Sequence, residues 1–104
     1  MSNSKSKSKS KSEAERLQRL LFEKLFTSST NGDLESVEGL VRMGADVNRG
    51  DSALGSTPLI VASGNRHLEV VRFLVLSHAD INMADNNGCT PLLLASQNGH
   101  SDVV

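Results

Sequence analysis

The chain repeats itself at a nearly fixed spacing. Thr57-Pro58-Leu59 returns as Thr90-Pro91-Leu92, and Ala62-Ser63 as Ala95-Ser96, both 33 residues on. Ala45-Asp46-Val47-Asn48 returns as Ala79-Asp80-Ile81-Asn82, and Leu34-Glu35 as Leu68-Glu69, 34 residues on. A period of this size makes each unit one supersecondary element that cannot bury its apolar face alone, so the units must stack on one another. The one-residue difference can be placed. Nine positions separate Asn48 from Thr57 and eight separate Asn82 from Thr90, which puts an extra residue in the first inter-unit turn, within Gly50 to Gly55.

Each unit reads as two short helices. Thr57 and Thr90 are N-cap residues whose hydroxyls can accept from a free amide, and Pro58 and Pro91 stand at the first helical position, where the missing N–H costs nothing. Helices are expected at about 58 to 65 and 91 to 98, with breaks near Arg66 and Gly99. A second helix starts at Leu68 or Ser101, and Leu68, Val71, Leu74 and Val75 recur at helical spacing in the better-preserved copy. The stretch from Asn82 to Gly88 is turn-rich.

Ahead of the repeats stands a different composition. Residues 1–12 alternate Lys and Ser and carry Lys5, Lys7, Lys9 and Lys11 without an acid, so residues 13–104 hold 7 basic and 12 acidic side chains. A formal charge of −1 thus hides a basic leader on an acidic body. Strict Lys/Ser alternation offers no apolar face at any period, which predicts disorder over 1–12. Ser12 and Glu15 form a capping box that predicts a helix start, followed by an apolar stripe through Ala14, Leu17, Leu21, Leu25 and Ser28, widened by Leu20, Phe22 and Phe26.

Composition limits the chemistry. With 38% hydrophobic residues, three Phe and neither Trp nor Tyr, the chain lacks large side chains for a central core around a deep pocket. The single Cys89 precludes an internal disulfide and any Cys-rich zinc site, in keeping with a reducing intracellular compartment, cytoplasmic or nuclear. The apolar runs are too short to span a bilayer, and no signal-peptide h-region opens the chain. His67, His78, His100 and Cys89 match no metal spacing. Cys89 has no positioned base that would make it a nucleophile. No Gly-rich phosphate loop follows a strand. The expectation is a non-enzyme without metal or cofactor.

A helix-turn-helix unit of about 33 residues that opens on Thr-Pro-Leu and closes on Gly-Ala-Asp-Val-Asn resembles the ankyrin repeat. Two Thr-Pro-Leu starts, two Ala-Asp-Val/Ile-Asn turns and His67-Leu68-Glu69-Val70-Val71 lie in one register, and the resemblance covers residues 24–104. It implies an all-α ankyrin-type solenoid with β-hairpin-like turns. The expected divisions are a disordered tail (1–12), a capping helix with an atypical first repeat (13–48), a second repeat (49–82) and a truncated third (83–104). About two units fall short of the three or more that such stacks need, so a fragment or shortened product of low stability is expected.

Departures from the family pattern carry their own expectations. The His that follows Thr-Pro-Leu in the family is Ile60 in one copy and Leu93 in the other, which removes the hydrogen bonds that His makes between neighbouring units. Arg66 stands where other units have Gly32 and Gly99, and His78 stands where the first has Gly44. If those positions are left-handed caps, both side chains sit in strained backbone and Arg66→Gly stabilises the chain.

The resemblance also implies a non-catalytic role in protein recognition, through turn tips and the exposed face of each first helix. Carried over by position, that surface comprises Gly50, Ser52, Ser56, Gly64 and Asn65 in one unit, and Ala84, Asn86, Asn87, Cys89, Gln97 and Asn98 in the next. These residues are small and polar, without a Trp, Tyr or Arg anchor, so weak binding is expected. Two alternatives stand beside this reading. In one, the Lys/Ser tail, open to serine phosphorylation, contacts nucleic acid or an anionic membrane through Lys5, Lys7, Lys9 and Lys11. In the other, the chain is the N-terminal part of a larger protein whose activity lies beyond residue 104.

Overall fold

The computed structural model describes residues 2–97 and Gly99, with the side chains of residues 1–12 outside the described set. Five helices follow one another: α1 (Ser2–Asn31), α2 (Leu34–Arg42), α3 (Pro58–Gly64), α4 (Leu68–Leu76) and α5 (Pro91–Gln97). The first helices α1, α3 and α5 form one layer, in which α3 packs between α1 and α5. The second helices α2 and α4 pack behind α1 and α3 and against each other.

The helix starts follow the local chemistry that the sequence implies. Thr57 Oγ1 accepts from the Ile60 amide and Thr90 Oγ1 from the Leu93 amide, each at 3.2 Å, with Pro at the next position in both. At α2 the cap is Asp33, whose carboxylate accepts from the Ser36 amide at 3.2 Å and the Ser36 hydroxyl at 2.7 Å. Those two bonds, the hydroxyl first, hold the Asp33 carboxyl below its ordinary range. The helix ends are set by left-handed residues: Gly32 at φ 73° and Gly44 at 97° in the first unit, Arg66 at 60° and His78 at 70° in the second. The strained positions expected at Arg66 and His78 are therefore present.

Two expectations about α1 are corrected. Its backbone begins at Ser2 rather than at the Ser12–Glu15 capping box. The Lys/Ser leader contains no Pro or Gly to stop a helix, and extending a helix that already exists adds one hydrogen bond for each residue fixed. The leader expected to be disordered is helical in its backbone, and its lysine side chains lie outside the described residues. The apolar stripe also starts later than expected. Leu21, Phe22 and Leu25 are buried, whereas Leu17 and Leu20 are about half exposed, because the core packed against α1 begins only at Leu21.

The core runs along the stack and has no centre. Leu21 and Leu25 of α1 meet Val37 of α2, Leu59 and Ala62 of α3, and Val70 and Leu74 of α4 in one continuous cluster. Ala45 and Ala79, the alanines of the repeated Ala-Asp turns, close it at the base. Medium-sized side chains suffice for this packing, which accounts for a fold with so few aromatics.

Candidate partner-binding face

Two fingers project from the stack, and aspartates build both. Asp51 Oδ1 accepts from the Leu54 and Ser56 amides at 3.1 and 2.9 Å, and the Asp51 amide donates to the Ser56 carbonyl at 2.9 Å. Asp85 does the same in the second finger: Oδ1 accepts from the Asn87 and Cys89 amides, and its own amide donates to the Cys89 carbonyl, all at 2.9 Å. The first finger closes over one residue more than the second, as the spacing of the repeats requires. Gly50 serves the neck of that finger, since a Cβ there would stand 2.5 Å from the Gly55 carbonyl oxygen.

The extra residue has a use. The Asn86 amide at the second tip donates to the Leu54 carbonyl at the first, at 2.8 Å. A Cβ on Gly55, whose φ is 69°, would stand 2.5 Å from Asn86 Oδ1. The fingers are thereby joined tip to tip. Asn48 links the first unit to the second, accepting from the Asp80 amide at 2.6 Å and donating to the His78 carbonyl at 3.4 Å.

A third joint lies at the opposite end of the helices. His67 Nε2 lies 2.8 Å from the Thr30 carbonyl, which can only accept, so Nε2 carries the proton. Asn65 Nδ2 donates to the same oxygen at 3.3 Å. Ile60 and Leu93 occupy the positions where the expected family His would stand, but His67 supplies a hydrogen bond between the first and second units.

The surface residues inferred from the sequence divide into groups. Ala84, Asn86, Asn87 and Gln97 are exposed, and Ser52 is exposed beside half-buried Gly50 at the first finger. Cys89 and Gly64 are half-buried, and Asn65, though exposed, spends its amide on the Thr30 carbonyl. Ser56 is only 6% exposed, because its backbone closes the finger, so it offers no surface to a partner. Asn98 lies outside the described residues.

Larger side chains, absent from the residues inferred from the sequence, stand beside the first finger. A cleft of about 370 Å³ opens between α1 and the first finger, lined by Arg19, Phe22, Glu23, Phe26, Arg49 and Asp51, with Gly50 and Ser52 at its edge. The Arg49 guanidinium lies over the Phe22 ring, 5.2 Å from its centre, and Phe26 packs beside Phe22 with ring centres 5.7 Å apart. An arginine beside two aromatic rings thus stands next to a surface expected to be small and polar. Arg49 directly precedes Gly50, and Phe22 and Phe26 lie one helical turn apart, but nothing local in either segment brings the two together.

Comparison with known proteins agrees with this architecture. The model of the family described as Ankyrin repeats (3 copies) matches residues 25–104. The chain belongs to the ankyrin-repeat family. It is 36% identical over 77 residues to Potassium channel AKT1 of Arabidopsis thaliana, covering 74% of this chain and 9% of the channel. It is 35% identical over 66 residues to Ankyrin repeat and SAM domain-containing protein 6 of Rattus norvegicus, covering 64% of this chain and 8% of that protein. The chain spans less than a tenth of either relative.

Among the described residues, no His, Cys, Asp or Glu group is placed to hold a metal ion. Among them too, no helix is long and apolar enough to cross a membrane.

Proposed function

We propose that this chain is a non-catalytic protein-interaction module that binds a partner on the face made by its fingers and first helices. Ankyrin repeats are in general protein-interaction modules. The observation that carries the reading is the tip-to-tip joint from the Asn86 amide to the Leu54 carbonyl, which makes two fingers into one continuous edge beside α1, α3 and α5. Asn86, Asn87, Ala84, Ser52 and Gln97 are presented along that edge and on α5, and a prearranged edge saves a partner part of the cost of ordering its binding site.

Photo-crosslinking tests this. A benzophenone side chain placed at 86 or 97 should trap a partner, and the same group at 69 or 76, on the α4 side, should not. Trapping from 69 or 76 alone would move the interaction to the outer helices and overturn the proposal.

A further inference from the structure

The cleft beside α1 contains two guanidinium groups without a described carboxylate partner. Arg19 is exposed on α1 and Arg49 is half-buried at the neck of the first finger, and no described ion pair or hydrogen bond engages either side chain. Arg19 and Glu23 are one helical turn apart, yet they do not pair. Asp51 also lines the cleft, but its Oδ1 is taken up by the amides of Leu54 and Ser56 and it makes no described ion pair with either arginine.

How Arg49 is held matters more than its charge alone. Its guanidinium carbon lies over Phe22, 5.2 Å from the ring centre, and no described hydrogen bond or ion pair uses its N–H donors. Such a group is already positioned for a planar carboxylate, which it can bind through two parallel hydrogen bonds. The Phe22 and Phe26 rings supply an apolar floor beside it.

We propose that this cleft anchors a protein partner through one carboxylate side chain flanked by apolar residues, held between Arg19 and Arg49 above the Phe22–Phe26 floor. This rests on the reading of the face given above. A carboxylate already in the cleft disfavours an acidic run. Glu23 lines the same cleft, so a second acid placed beside the first meets a like charge at short range. Charges more than about 8 Å away are largely screened at physiological salt, so Glu23 and the two arginines set the preference. The cleft therefore selects a single acid in an apolar setting.

Titration of the ¹⁵N-labelled full chain with three capped peptides tests the proposal: acetyl-GSLEFSG-amide, its glutamine counterpart acetyl-GSLQFSG-amide, and the polyacidic acetyl-GSEEESG-amide. The first should move the Nε–Hε signals of Arg19 and Arg49, and the other two should bind about tenfold more weakly. R19Q, at an exposed site, should remove the preference for glutamate while leaving the melting temperature unchanged. R49K, which keeps the charge and loses the planar fork, should weaken it.

Equal affinity for the first two peptides, tighter binding of the polyacid, an unaffected preference in R19Q, or arginine signals that stay still would each overturn the anchor. Shifts confined to residues 84–97, with glutamate and glutamine peptides alike, would remove the cleft anchor and leave the broader reading standing. Crosslinks from 69 or 76 alone would remove that reading itself.

Discussion

The ring of His67 closes over the backbone of Gly32 while its Nε2–H donates to the Thr30 carbonyl at 2.8 Å, so one side chain fastens the second unit to the first. A Cβ on Gly32 would stand 2.5 Å from His67 Nδ1, on a backbone whose φ is already 73°. Gly32→Ala should therefore cost about 2–3 kcal/mol in urea unfolding, combining backbone strain with the clash. Gly88→Ala meets nothing within 4 Å at a similar φ of 79° and should cost only about 1–2 kcal/mol. The double mutant cycle of Gly32→Ala with His67→Ala should show coupling, because His67→Ala removes the clash as well as the hydrogen bond. Strict additivity would mean that the ring does not hold this position.

The second unit stores strain where the first has glycine. His78→Gly should stabilise the chain by about 0.5–1 kcal/mol, the left-handed penalty relieved at φ 70° less the added freedom of the unfolded chain. Only the backbone carbonyl of His78 takes part in the described joint to Asn48, and the substitution keeps it. Arg66→Gly, at φ 60°, should act in the same direction. A lowered melting temperature in both variants would show that their side chains give more than the strain takes.

Two buried hydroxyls oppose the packing around them. Ser29 and Ser63 occupy the same place in successive units, both are 0% exposed, and neither Oγ has a hydrogen-bond partner. Removing a buried polar atom that has no partner leaves nearly the same shape and relieves its desolvation cost. Ser63→Ala and Ser29→Ala should each raise stability by about 0.5–1 kcal/mol in denaturant melts, and by more together. A loss of stability would point to a partner for the hydroxyl, such as an ordered water.

The Asp33 cap gives α2 an acid-sensitive start. Its carboxyl is held below the ordinary value by the Ser36 hydroxyl and amide, so the folded state favours the ionised form. The contribution is fully present above the unfolded carboxylate value of about 3.9 and is lost as pH falls through the lower folded value. The gap in stability between the wild-type chain and Asp33→Ala should therefore be constant above pH 5 and narrow below about pH 4. A gap that widens with acid would contradict the assigned direction.

What was legible in the sequence followed from chemistry within a few residues. Thr57 and Thr90 followed by proline mark the helix starts, and the unequal spacing of the two turns locates the longer finger. The left-handed positions at Arg66 and His78 follow from comparing one unit with the next. What escaped depends on which surfaces meet. Leu17 and Leu20 lie on the apolar stripe of α1, but their exposure is decided by where the packed core begins. Arg49 and Phe22 are 27 residues apart, and their contact depends on how a finger sits against a helix, which no periodicity encodes. His67 looked like a conforming member of its motif, and its bond to Thr30 becomes visible only when the units are stacked.

The joints between successive units share a property of some use to a recognition protein. His67 and Asn65 reach the carbonyl of Thr30, Asn48 reaches the amide of Asp80 and the carbonyl of His78, and the Asn86 amide reaches the carbonyl of Leu54. Every one of these links ends on a main-chain atom, so none depends on which side chain the receiving residue bears. Leu54, Thr30 and Asp80 can be exchanged for other residues that keep the backbone path without unfastening the stack. The assembly is thus indifferent to much of what is written on its outward surface, and a binding face can drift toward a new partner while the frame beneath it stays closed.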